Sequence, residues 1–191
     1  MLKTIDVGLM ANHLSVHNAL IKKLELYASG TKNQQLIMLL EQHAGLMKNH
    51  VNVMNNLLNP DNLNQVSLPP IPHVTSHNHN TYSSLGLEDK DIATDAQITA
   101  MAMANNNFTS ALNMKNPQVK KIHVEMALQQ SQIAEQIGML AQQNGWMSHP
   151  NASTTEQVEA QNPLQANNNH NHMPIYQNKN VNTNQPNQLH H

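Results

Sequence analysis

The helical apolar pattern of this chain stops at Asn59-Pro60 and does not resume until Asp89. Between them lie Pro69, Pro70 and Pro72 and a polar run carrying His73, His77 and His79. Proline fixes φ and removes a backbone donor, so no helix is expected to cross this stretch. A segment of about 25 residues without secondary structure is long for a compact domain. It has a use if it carries the chain from one end of a helix bundle to the other. A helix of about 26 residues is near 39 Å long, and about 25 residues of extended chain span that distance. The interruption therefore limits the fold more than any other feature.

On either side of it the apolar residues recur at helical spacing. From about Asp6 to Ser29, Leu9, Leu20 and Leu24 form a stripe flanked by Met10, Leu14 and Ile21, and Gly30 stops the pattern. From about Lys32 to Leu58 the buried side is expected to hold Leu36, Leu39, Leu40, Leu46, Met47, Val53, Met54 and Leu57. Gly45 lies inside this second segment, where it either weakens the helix or marks a close approach of another helix. After the interruption, Asp89 and Asp91 place negative charge in a first helical turn, as the helix dipole favours. Ile92, Ala96, Thr99 and Met103 follow three and four apart. A break at Asn116-Pro117 precedes Val119, Ile122, Met126, Ile133, Ile137 and Leu140, and Gly145 supplies a positive-φ stop. Each segment has one apolar face and must bury it against the others.

The predicted fold is all-α: a ferritin-like four-helix bundle of two αα-hairpins joined by a long crossover, with a disordered C-terminal tail. The divisions are 1–59 for the first hairpin, 60–86 for the His/Pro-rich crossover, 87–149 for the second hairpin and 150–191 for the tail. The tail is rich in Asn, Gln, Pro and His, and its scattered apolar residues cannot offset the entropy of ordering it.

Composition narrows the function. Net charge is −2 and only 12% of residues are charged, which is unlike the basic footprint of a nucleic-acid binder. No run of about 18 apolar residues suggests a membrane span, and the start, Met-Leu-Lys-Thr-Ile-Asp-Val, does not look like a signal peptide. There is no Cys, which removes disulfides and thiolate metal sites. Polarity comes from Asn and Gln, about a quarter of the chain. A weakly charged, amide-rich surface favours association.

Several features bear on chemistry. Di-metal bundles use inward Glu residues with Glu-x-x-His, and no Glu-x-x-His occurs here. Asp95 sits at the edge of its stripe without an inward carboxylate partner. There is no Gly-x-Ser-x-Gly and no Gly-rich phosphate loop. Gln129, Gln130 and Gln132 around Ser131 read as polar contacts in the bundle. The candidate metal residues are His13 and His17, four apart, with His43 and His50 on the adjacent helix. The plainer expectation is that these are boundary histidines, bonded to Asn, Gln or solvent. Two separate pairs are the alternative, with His17 and His43 nearer the turn than His13 and His50. His73, His77, His79, His170 and His172 form tracts of a kind that binds transition metals weakly, though drift in a polar linker explains them more simply. Met101, Met103, Met126 and Met139 read as core or boundary filler. Trp146 is expected to cap the bundle end rather than to dock a partner.

The run Leu87, Asp91, Ile92, Ala93, Thr94, Asp95, the hairpin after it, and Gly145, Trp146, His149 and Pro150 resemble the coat F domain of bacterial endospore coat proteins. Val16-His17 resembles the upstream hairpin of longer members. The resemblance implies a ferritin-like fold and a structural, non-enzymatic coat component without cofactor. It also implies localisation to the spore coat after synthesis in the mother cell cytoplasm. Self-association into homo-oligomers and docking with other spore coat proteins are the expected partnerships. A ferritin-like metal-binding module without redox catalysis is the second reading.

Overall fold

The structure is a computed structural model that describes residues 1–62, 64–74 and 86–161. Among the described residues five helices follow in order: α1 (Thr4–Gly30), α2 (Gln34–Leu58), α3 (Asp89–Asn113), α4 (Pro117–Gln143) and α5 (Thr154–Gln161). The first four belong to a unit spanning Met1–Ser148, and α5 belongs to a second unit, His149–His191.

Each long helix begins where local chemistry supplies an acceptor for its free N–H groups. Asn33 accepts from the Leu36 N–H at 3.1 Å at the start of α2. Asn116 accepts from the N–H groups of Gln118 and Val119, and Pro117 occupies the first turn of α4, where its missing donor is harmless. The Asn-Pro pair that broke the sequence pattern is thus the cap of α4. At the other end of α4, Gly145 adopts φ 69°. The Trp146 N–H then donates to the Ala141 carbonyl at 2.8 Å.

The chain pairs α1 with α2 and α3 with α4 most extensively. Thr31, after α1, donates to the Asp89 carboxylate at the start of α3. At the opposite end, the N–H groups of Lys115 and Asn116 donate to Asp6 in the first turn of α1. These contacts make α1 antiparallel to α3, so the chain crosses the length of the bundle between α2 and α3. Residues 64–74 do so along the α2–α4 groove. Gln118 donates to the Val66 carbonyl, Gln129 donates to the Pro69 carbonyl, and Pro72 rests against Gly45. Gly45 thus marks a close approach, and the approaching group is a proline of the crossover rather than another helix. The His77 and His79 positions lie outside the described residues.

The apolar core has two parts. One contains Leu24, Leu36, Leu40, Met47, Ile92, Ala96, Met103, Ile133 and Ile137, with Trp146 packed against it. The other contains Met10, Val53, Met54, Met114, Val119, Ile122 and Met126. Trp146 is half-buried against the first part, which is a capping position. On α1 the buried line is Met10, His13, His17, Ile21, Leu24 and Ala28; Leu9, Leu14 and Leu20 are only half-buried. Met103 and Met126 are core, whereas Met101 and Met139 are exposed, so the expectation of filler fails for the last two.

One local correction falls in the tail. Thr154–Gln161 forms a short helix with no buried residue. Its basis is a capping box: Ser153 Oγ accepts from the Glu156 N–H, and the Glu156 carboxylate accepts from the Ser153 N–H at 2.7 Å. Residues 162–191, including His170 and His172, lie outside the described residues.

Candidate functional site

Between the two apolar parts lies a polar layer. Every long helix contributes to it: His13 and His17 from α1, His50 from α2, Asn107 and Ser110 from α3, His123 from α4. Helical spacing explains the placement. His13 and His17 occupy successive turns between Met10 and Ile21, and His50 lies between Met47 and Met54 on the α2 core face. His123 lies one turn after Val119 and one before Met126. His17, His50 and His123 are fully buried, and His13 nearly so. They are core residues, and the boundary placement expected for His13, His17, His43 and His50 is wrong. Each replaces an apolar residue on its stripe, where a four-residue spacing alone does not separate core from edge.

The rings touch in a chain. His123 and His13 have centroids 5.2 Å apart, His13 and His17 are 5.8 Å apart, and His17 and His50 are 5.5 Å apart. His17 therefore meets His50 rather than His43. His43 lies about two turns earlier on α2 and bonds Gln130 Oε1 at 2.8 Å, and Gln130 in turn donates to the Met47 sulfur. Gln129 Oε1 accepts from His50 Nε2 at 2.9 Å. Gln129 and Gln130 are thus polar contacts of the bundle, each holding one buried histidine.

Burial pushes all these imidazoles toward the neutral form. Desolvation, with the neighbouring His50 adding to it, lowers the pKa of His17 to about 3. Desolvation lowers His43, His50 and His123 to about 4 despite their hydrogen bonds. His13 is lowered by the same cause. At neutral pH the layer is a cluster of uncharged donors and acceptors. Two acceptors in it, His123 Nε2 and Asn107 Oδ1, have no hydrogen-bond partner among the described residues. His43 Nδ1 is also buried without one.

Among the described residues, no three His, Asp or Glu side chains already converge on a point that holds a metal ion. Asp95 faces outward from the bundle interior, where it accepts from Lys23 Nζ at 2.7 Å and from the Tyr27 hydroxyl at 3.1 Å. His73 is exposed at the edge of an α2–α4 cleft lined by Met38, Leu39, Gln136 and Met139. His123 was missed by sequence reasoning. The signal was present: Val119, His123, Met126, Gln130, Ile133 and Ile137 share one line, and polar members of an apolar line are candidates for a buried layer.

Among known proteins, residues 88–151 match the Coat F domain family. A crystal structure from Bacillus halodurans C-125, of a protein provisionally named a spore coat protein, has the same fold. The likeness has a TM-score of 0.64 at 18% identity and covers 80% of this chain and 96% of that one. No curated protein matches the sequence.

Proposed function

We propose, from the match of residues 88–151 to the Coat F domain, that this chain is a structural unit of the spore coat that self-associates and docks with other coat proteins. On this reading it is made in the mother cell cytoplasm and deposited on the forespore. The observation that supports association is the outer face of α3. Ile98, Met101, Phe108 and Leu112 are 59%, 56%, 50% and 60% exposed. Their spacing puts them on one line about 21 Å long, opposite the buried line of Ala96, Ala100, Met103 and Asn107. A helix apolar on both faces has one face too many for a single bundle. The small net charge of −2 offers little repulsion between copies.

The test is the molar mass of the purified chain as concentration rises, followed by light scattering, beside an Ile98→Lys/Phe108→Lys variant. The wild type is expected to associate and the variant to remain monomeric with an unchanged helical spectrum. A wild type that stays monomeric at high micromolar concentration removes self-association. Failure to find the protein on spores by immunolocalisation removes the coat reading as a whole.

A further inference from the structure

The hydrogen-bond partners of the buried histidines fix their tautomers. His17 Nδ1 lies 2.7 Å from the His13 carbonyl oxygen, which can only accept. The proton of His17 is therefore on Nδ1, and Nε2 carries a bare lone pair. His50 Nε2 lies 2.9 Å from Gln129 Oε1. The Gln129 amide cannot be reversed without losing its 2.8 Å donation from Nε2 to the Pro69 carbonyl. The proton of His50 is therefore on Nε2, and Nδ1 is bare. These two bare nitrogens, His17 Nε2 and His50 Nδ1, face each other at 3.4 Å in the buried centre of the bundle. With both rings neutral there is no proton between them, and their lone pairs repel.

A cation resolves that repulsion. Two imidazole nitrogens each about 2.0–2.1 Å from a tetrahedral Zn²⁺ lie about 3.3–3.4 Å apart, which is the separation found here. His123 repeats the pattern: its Nδ1 donates to the Val119 carbonyl at 3.1 Å, and its Nε2 is buried without a partner among the described residues. Histidines that ligate metals characteristically anchor the distal N–H on a carbonyl or amide oxygen in this way. All three rings do so. Neutral imidazole is a ligand for divalent first-row cations such as zinc.

We infer that His17 Nε2 and His50 Nδ1 form the edge of a buried imidazole site for a divalent transition-metal cation of the zinc class, with His123 Nε2 as the third ligand after a ring movement. The movement is required because three ligands do not converge in the present arrangement. His13 is not an edge ligand. It contacts both His17 and His123 and forms part of a surface cleft of about 220 Å³ between α1 and α3, beside Ser110 and Met103. His43, nearer the start of α2 and held by Gln130 of α4, lies outside the site. The inference does not depend on the coat reading.

The experiment uses the full chain, stripped with chelator and titrated with Zn²⁺ by calorimetry, with Co²⁺ as a spectroscopic probe. One equivalent is expected to bind with a tetrahedral Co²⁺ visible spectrum. It should persist in a His77→Asn/His79→Asn variant and be lost in His17→Gln and His50→Gln. Binding that survives in those last two, or is absent from the wild type, overturns the site. Because the core variants can fail to fold, imidazole ¹⁵N spectra of the wild type give a second reading. Metal-free protein should show N–H on His17 Nδ1 and His50 Nε2, and Zn²⁺ should shift the opposite nitrogens. A proton found on His17 Nε2 or His50 Nδ1, or bound Zn²⁺ that leaves both nitrogens unshifted, overturns the proposal.

Discussion

Asp6 Oδ1 accepts the backbone N–H of Lys115 at 2.7 Å, across 109 positions of sequence. The same carboxylate accepts from the Asn116 N–H at 3.3 Å and, through Oδ2, from the Lys3 N–H at 2.8 Å. One buried side chain thus caps α1 and fastens the α3–α4 turn to it. Burial alone raises its pKa, but the three backbone donors and the nearby Lys115 charge outweigh that and leave it lowered.

Asp6→Ala should therefore destabilise the bundle by roughly 2–4 kcal/mol, because buried N–H groups lose their acceptor. Urea denaturation checks this. Asp6→Asn should recover part of the loss, since the amide oxygen still accepts. For the wild type, a lowered carboxylate pKa means that this contribution is present above the unfolded value of 3.8 and is lost as pH falls through the folded value.

The buried histidines carry the opposite kind of titration. Their folded pKa values, about 3 for His17 and about 4 for His43, His50 and His123, lie below the unfolded value of 6.5. The unfolded chain binds protons first, so stability is full above pH 6.5 and falls as pH drops toward 4. Each histidine contributes on the order of 1.4 kcal/mol per pH unit within that window. Cooperative acid unfolding near pH 5 is expected, followed by circular dichroism. His43→Gln should move the midpoint to lower pH if the fold tolerates it. A bundle fully folded at pH 4 would contradict the assignment of neutral buried rings.

The crossover is held against α2 by a small residue. A Cβ on Gly45 would lie 3.0 Å from Pro72 Cγ. Gly45→Leu should push residues 64–74 off the groove and cost about 1–3 kcal/mol of overpacking. Faster proteolysis within that segment than in the wild type is the readout.

Lys23 links the two hairpins by donating to Asp95 at 2.7 Å and to Thr99 at 2.8 Å, with Tyr27 on the same carboxylate. The pair is partly exposed, so a double-mutant cycle on Lys23→Met and Asp95→Asn should give no more than about 1 kcal/mol. The coupling should shrink as salt is raised.

The stripes of α3 and α4 were legible because Ile92, Ala96, Thr99 and Met103, and Val119 to Leu140, keep helical spacing with few polar intrusions. The caps at Asn116-Pro117 and Gly145 were legible because their backbone chemistry is local. The histidine layer was not. His13 and His17 fall on the apolar stripe of the first helix, yet neither the ring's burial nor its partner is written in spacing. His123 was hidden inside a stripe read only for its apolar members. The exposed apolar line of α3 was hidden because Met101 reads the same whether it faces a core or a surface.

The sequence by itself determined the helices, the hairpins and the need for a crossover, since periodicity, capping and proline act over a few residues. Only the tertiary structure decided which polar groups meet. His17 and His50 are 33 positions apart, Asp6 and Lys115 are 109 apart, and their contacts depend on how four helices align along the bundle axis. That alignment is set by the summed packing of the whole core, and no local pattern encodes it.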